Sequence, residues 1–210
     1  MIQDLVKICG LANQEDVTAT LSLEPDAVGF ILWPKSPRGV SAKDVAVWTQ
    51  DQMPPRTRKV GVFVDSSVEQ IEAMAEEAGL DILQLHGAYT AEQILQLSKP
   101  VWRVLHVDRL PDDWNEVPVE ALLVDSGTVE MPGGTGVRVD IDAAVRLIEE
   151  SNYPVVLAGG LKAGTVHQAI RDAKPDGVDV SSGVELHPGK KDMQAVQEFV
   201  HQARNAYTQL

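Results

Sequence analysis

The sequence predicts an α/β chain closed into a (β/α)8 (TIM) barrel of eight parallel strands, a single domain spanning residues 1–210, on three observations. Short β-branched apolar runs alternate with helical patterns from one end of the chain to the other, the signature of successive βαβ units. The runs number eight, the count that closes a barrel, and stretches such as Val155-Val156-Leu157-Ala158 are continuously apolar, as suits a sheet covered on both faces. The length of 210 residues also falls within the roughly 200–250 that such a barrel commonly occupies as one domain. An open doubly wound sheet is the structural rival. It calls for a glycine-rich fingerprint directly after the first strand, and Cys9-Gly10-Leu11-Ala12 is no such loop.

In chain order, strand 5–9 and helix 13–23 form the first unit, 27–31 and 42–52 the second, and 59–64 and 67–78 the third. Ser67 stands three residues before Gln70, which is capping-box spacing, and Glu69 adds an acid in the first turn, where the helix dipole favours it. The fourth unit, 82–85 and 91–96, repeats this with Thr90, Gln93 and Glu92. After strand 101–106 the pattern breaks: Pro111 and Pro118 interrupt an acidic stretch, which predicts a short or irregular helix. Strand 121–124 with helix 141–150, strand 154–158 with helix 165–173, and strand 177–180 with helix 192–206 complete the barrel.

Composition narrows the function. Hydrophobic residues at 44% and charged residues at 23% describe a folding globular chain. A formal charge of −13 repels nucleic acid and anionic membrane surfaces, so an anionic substrate requires a locally positive pocket. Cys9 is the only cysteine, which excludes an intrachain disulfide and a cysteine-based zinc cage and fits a reducing cytoplasm. No stretch approaches the roughly 20 apolar residues that span a bilayer, and Met1-Ile2-Gln3-Asp4 does not begin a signal peptide. Monomer and homodimer are both open. The histidines show no metal-ligand spacing, so the expectation is no metal and no cofactor.

In such barrels chemistry sits at the C-terminal ends of the strands. Cys9 ends the first, where a small-hydrophobe role competes with that of a base; alternation puts Lys7 on the same face, and a neighbouring cation favours thiolate. Asp179 and Ser181 share a face of the eighth strand, which closure places beside the first, so a Lys7–Asp179 interior ion pair is expected. Asp125 ends the sixth strand and is either an acid or a loop-capping aspartate; Asp65, followed by Ser66 and Ser67, reads as the start of a helix. Gly159 and Gly160 follow the seventh strand and Ser181, Ser182 and Gly183 the eighth. Barrels frequently bind phosphate in these two loops, although either alone would pass for a tight turn. Arg38, in a loop stiffened by Pro34 and Pro37, offers a planar fork for a carboxylate or is an ordinary surface arginine. Pro132-Gly133-Gly134-Thr135-Gly136 reads as a mobile loop.

The motifs Val6-Lys7-Ile8-Cys9-Gly10, Gly29-Phe30-Ile31-Leu32-Trp33-Pro34-Lys35-Ser36-Pro37-Arg38, Val60-Gly61-Val62-Phe63-Val64-Asp65 and Leu83-Gln84-Leu85-His86-Gly87 occur in this order. They are followed by Leu122-Leu123-Val124-Asp125-Ser126, Gly133-Gly134-Thr135-Gly136, Leu157-Ala158-Gly159-Gly160-Leu161 and Val178-Asp179-Val180-Ser181-Ser182-Gly183-Val184-Glu185. In these motifs and their order the chain resembles the phosphoribosylanthranilate isomerase family of tryptophan biosynthesis over essentially its whole length. The resemblance implies Cys9 as general base, Asp125 as general acid and Arg38 as anchor of the anthranilate. It further implies that Gly159, Gly160, Ser181, Ser182 and Gly183 surround the phosphate, and that Gln84 and His86 line the same pocket. The sequence departs from the family after Gly136, where Val137-Arg138-Val139-Asp140 replaces a lysine and a following aromatic residue. Two other readings stand beside this one. The aminoaldose isomerase of histidine biosynthesis shares barrel and chemistry but calls for an aspartate in place of Cys9 and a second phosphate site; a noncatalytic phosphate-binding or redox-sensing barrel would use Cys9 as a reactive thiol.

Overall fold

The computed structural model describes residues 2–125 and 141–210. Eight parallel strands hydrogen-bond in sequence order and close on themselves: β1 (Leu5–Ile8), β2 (Ala27–Ile31), β3 (Arg58–Val64), β4 (Ile82–His86), β5 (Val101–His106), β6 (Ala121–Asp125), β7 (Val155–Leu157) and β8 (Gly177–Val180). Closure pairs β1 with β8 in a register that sets Lys7 directly opposite Asp179. The helices are α1 (Gln14–Leu21), α2 (Ala42–Thr49), α3 (Val68–Ala78), α4 (Ala91–Leu95), α5 (Ile141–Glu150), α6 (Ala163–Ala173) and α7 (Met193–Tyr207).

Strand positions agree with the sequence reading to within a residue at either end. Both expected capping boxes form: the Ser67 backbone N–H donates to Gln70 Oε1 at 3.0 Å while the Ser67 hydroxyl accepts from the Gln70 N–H, and Thr90 and Gln93 repeat the exchange. Two features differ. The proline-interrupted segment between β5 and β6 is a run of turns with no helix, anchored by Arg103 Nη2 on Asp113 at 3.0 Å. After β8 the chain also adds elements that the sequence reading lacks: a 3-10 turn (Ser182–Val184) and a small antiparallel hairpin, β9 (Glu185–His187) with β10 (Lys190–Lys191). The Pro132–Gly136 segment, Arg138 and the departure from the family pattern lie outside the described residues.

Alternation along the strands sorts their side chains into two cores. Outward residues pack under the helices, led by Val6, Ile8, Val28, Phe30, Phe63, Leu83, Val178 and Val180. Inward residues fill the barrel, with Leu5, Ala27, Val60, Ile82, Trp102, Val104, Ala121, Leu123 and Val156 in one apolar cluster. Toward the carboxyl ends of the strands the inward positions turn polar: Lys7, Gln84, Asp125 and Asp179 are all buried. Gly29 makes room for them, since a Cβ there would come within 2.6 Å of Cys9 Sγ and 3.1 Å of Lys7 Nζ. The barrel is thus plugged below and polar above, which fixes the end where ligands bind. Among the described residues no helix is long and apolar enough to cross a membrane.

Candidate active site

The polar end of the barrel opens into a cavity of about 470 Å³ walled by strand ends and the loops that follow them. On that wall stand Cys9, Arg38, Gln84, His86, Asp125, Asp179, Gly159, Gly160, Ser181, Ser182 and Gly183. Lys7 is the one remaining candidate from the sequence, and its fully buried side chain lies beside Cys9. Asp65 is not on this wall.

Each position has a local cause. Cys9 follows β1, and its backbone N–H still donates to Val180 O of β8 at 2.8 Å, so the barrel ladder holds it in place. Lys7 Nζ donates to Asp179 Oδ1 at 2.9 Å, the ion pair that alternation and closure require. Burial opposes the Lys7 charge, but Asp179 and Cys9 outweigh it and hold the ammonium above its usual range. For Cys9 the balance tips the other way. Burial pushes the thiol up, and the nearby Lys7 and Lys191 only partly offset it. Lys7 does favour thiolate, as expected, but the free protein carries Cys9 as a thiol near neutral pH, because desolvation penalises the charged form more than its cations stabilise it.

Arg38 is no ordinary surface residue. Its Nε donates to Glu185 Oε1 at 2.9 Å and its Nη2 to Glu185 Oε2 at 2.7 Å, with only 12% of the arginine side chain and 3% of the glutamate exposed. This side-on fork fixes the guanidinium plane and leaves Nη1 without a protein acceptor among the described residues. Across the cavity, Gln84 Nε2 and His86 Nε2 lie 3.2 Å apart. Burial, with His106 and Lys7 adding repulsion, drives the His86 imidazolium pKa down to about 3, so the ring is neutral at physiological pH. Asp125 closes β6 with its side chain on the cavity wall, in register with His106 of β5.

At the β7–β8 side two glycine loops meet. Gly159 and Gly160 adopt φ of +83° and +66°, which only glycine takes readily. A Cβ on Gly183 would lie 1.8 Å from Leu161 O, so the two loops approach backbone to backbone. The buried Ser181 Oγ, Gln84 Oε1 and His86 Nδ1 have no hydrogen-bond partner among the described residues. Buried polar groups are normally satisfied, so three such atoms on residues of one cavity wall identify it as a site built for a polar ligand. Among the described residues no cluster of His, Cys, Asp or Glu is arranged to hold a metal.

Sequence reasoning put Trp33, on the cavity wall, in a candidate loop without giving it a role, and it missed Glu185 and Lys191 behind the wall. Trp33 stands in the same proline-stiffened loop as Arg38, and Glu185 closes the motif of the eighth strand, so both were within reach of the patterns. Lys191 was not, since nothing in Lys190-Lys191 distinguishes the inward lysine from the outward one.

Three comparisons bear on what this site belongs to. A family model described as N-(5'-phosphoribosyl)anthranilate (PRA) isomerase matches residues 6–202. A curated N-(5'-phosphoribosyl)anthranilate isomerase of Geobacter sp. strain M21 is 38% identical, over 95% of this chain and 97% of its own. A crystal structure of phosphoribosyl anthranilate isomerase in complex with reduced 1-(o-carboxyphenylamino)-1-deoxyribulose 5-phosphate superposes with a TM-score of 0.81 at 30% identity, covering 98% of this chain and all of the other. A second structure, described as monomers generated from the dimeric Thermotoga maritima enzyme, gives a TM-score of 0.80 at 31% identity with the same coverage. With the family model spanning nearly its whole length and a curated relative 38% identical over 95% of it, the chain belongs to the N-(5'-phosphoribosyl)anthranilate isomerase family.

Proposed function

We propose that the chain, acting as one domain in the cytoplasm, is an N-(5'-phosphoribosyl)anthranilate isomerase of tryptophan biosynthesis. It would convert the aminoaldose to 1-(2-carboxyphenylamino)-1-deoxyribulose 5-phosphate without a cofactor. The observation that carries this reading is the meeting of Cys9 and Asp125 on the wall of one cavity that also holds Arg38 and the two glycine loops. In this mechanism Asp125 donates a proton to the ribose ring oxygen as the C1–O bond breaks, and the anthranilate nitrogen supplies its electron pair to form an iminium. The iminium acidifies the C2 proton, which Cys9 removes as thiolate. The electrons of the C2–H bond move into the C1–C2 bond, giving an enolamine that tautomerises to the ketone. The backbone of the β7 and β8 loops with Ser181 Oγ holds the phosphate, and Arg38 Nη1 takes the carboxylate. The neutral His86 and Gln84 offer hydrogen bonds to the sugar hydroxyls.

The fluorescence of the anthranilate-linked substrate tests this directly. Purified protein is expected to extinguish the signal as rearrangement proceeds, whereas saturable binding with an unchanged signal would leave only a phosphate-binding barrel. Turnover of the histidine-pathway aminoaldose in place of this substrate would favour that isomerase instead.

Gly183→Ala checks the phosphate assignment. A methyl group 1.8 Å from Leu161 O must separate the loops. The loss of one charge-assisted hydrogen bond, about 1.5–3 kcal/mol, is expected to weaken phosphorylated product roughly 10–100-fold while anthranilate alone binds unchanged. Unaltered affinity for the phosphorylated product would place the phosphate elsewhere.

A further inference from the structure

Both cations at the cavity's interior that the sequence singles out are already paired. Lys7 has Asp179, and Arg38 is gripped on two of its nitrogens by Glu185. A guanidinium held side-on by a carboxylate is electrically close to neutral, and a neutral pair has little attraction for a second carboxylate. Yet Glu185 is not Arg38's alone. Lys191 Nζ donates to Glu185 Oε1 at 3.0 Å and to Ser181 O at 3.1 Å, with its side chain wholly buried. Two cations therefore share one anion, and the cluster keeps a net positive charge within a protein whose formal charge is −13.

The surroundings hold Lys191 in this place. Its backbone N–H donates to Asp16 Oδ2 at 2.7 Å, and the same carboxylate accepts Asn13 Nδ2 at 2.8 Å and Lys190 Nζ at 2.7 Å. Adjacent lysines on β10 thus point opposite ways, Lys190 toward α1 and the surface, Lys191 inward to Glu185. Burial lowers the Lys191 pKa against the pull of Glu185 and Cys9, but donation to a carboxylate and a carbonyl together is the geometry of an ammonium.

We propose that Lys191 is a positioning residue for the substrate's carboxylate end, acting through Glu185: it offsets the charge of the carboxylate that locks Arg38, so that the fixed guanidinium still attracts the anthranilate carboxylate. This rests on the assignment of Arg38 as the carboxylate anchor. Geometry and charge come from different residues here. Glu185 supplies the rigid fork that a lone arginine would lack, and Lys191 supplies the unmatched charge.

The test is a titration of two ligands, reduced 1-(o-carboxyphenylamino)-1-deoxyribulose 5-phosphate and its anilino counterpart lacking the carboxyl group. The proteins are wild type, Lys191→Met, Glu185→Gln and the Lys191→Met/Glu185→Gln double variant. Wild type is expected to prefer the carboxylated ligand. Removing one positive charge from this cluster, at an effective dielectric of about 20, is expected to cut that preference by about tenfold or more in Lys191→Met, with the anilino ligand unaffected to within about twofold. The double variant restores the net charge and is expected to regain at least half of the loss on a logarithmic scale. Should Lys191→Met not fold, the same step of about tenfold is expected between Glu185→Gln and the double variant, neither of which leaves Glu185 as a buried anion.

Equal weakening of both ligands would overturn the proposal, placing Lys191 under the phosphate loop through Ser181. An unchanged preference would overturn it too, as would a double variant no better than Lys191→Met, which would mark an effect of shape. If wild type itself shows no preference for the carboxylated ligand, the assignment of Arg38 fails and the proposal with it, an outcome distinct from the others.

Discussion

Cys9→Ala is expected to lower kcat by about 10²–10⁴-fold, the range that a positioned general base contributes, and to change the affinity for phosphorylated product by less than about threefold. The separation follows from the geometry. Cys9 sits at the end of β1, while the phosphate is assigned to loops after β7 and β8, so trimming the thiol leaves those loops and the Arg38–Glu185 fork as they are. It also leaves the 2.9 Å Lys7–Asp179 contact in place, since that contact does not involve sulfur. Cys9→Ser is expected to fall nearly as far, because a hydroxyl ionises far less readily than a thiol whose pKa burial has already raised. Single-turnover rates with the fluorescent substrate check this, and a near-normal rate in either variant would remove Cys9 from the mechanism.

The strand ends were legible because two simple rules act together. Period-two alternation fixes which side chains point inward, and closure fixes that β1 and β8 are neighbours. Lys7 and Asp179, 172 positions apart, could therefore be paired before any coordinates were known. The same rules place Gln84 with His86 and set Asp125 at the mouth. They fail where elements are too short to have a period. β9 and β10 span three and two residues, so neither shows a pattern that reveals a hairpin, and Glu185 and Lys191 escaped with it. The start of α6 at Ala163 was likewise obscured by Gly164, a poor helix former at a position where a Cβ would meet nothing within 4 Å, so no close contact there calls for glycine. The net ionisation of Cys9 was not legible for a different reason. A sequence records that a lysine is near but not how dry the site is, and here desolvation exceeds the attraction of Lys7.

That ionisation state makes the acid the more informative residue to remove. Turnover requires Cys9 as thiolate and Asp125 as carboxylic acid in the same molecule, although burial holds the thiol pKa high. Below the Cys9 pKa, raising the pH gains thiolate tenfold per unit, while it disfavours the protonated form that a carboxylic acid donor needs. The wild-type kcat/KM is therefore expected to depend less steeply on pH than the base alone would dictate, the requirement for an acid opposing that for a base. Asp125→Asn abolishes proton donation to the ring oxygen, and kcat is expected to drop by about 10²–10⁴-fold. It also uncovers the base. With one titrating group left in the rate equation, the residual rate is expected to climb about tenfold per pH unit until Cys9 itself ionises, above the ordinary thiol range. Cys9→Ala is expected to lack that rise, because the base that produces it is gone. The neutral His86 has no part in either limb, since its pKa of about 3 lies below the working range. Rate profiles of the two single variants and the wild type measure this directly. A residual Asp125→Asn rate that stays level or falls with pH would show that Cys9 is not the group being uncovered, because a buried thiol acting as base has no other direction in which to move the rate.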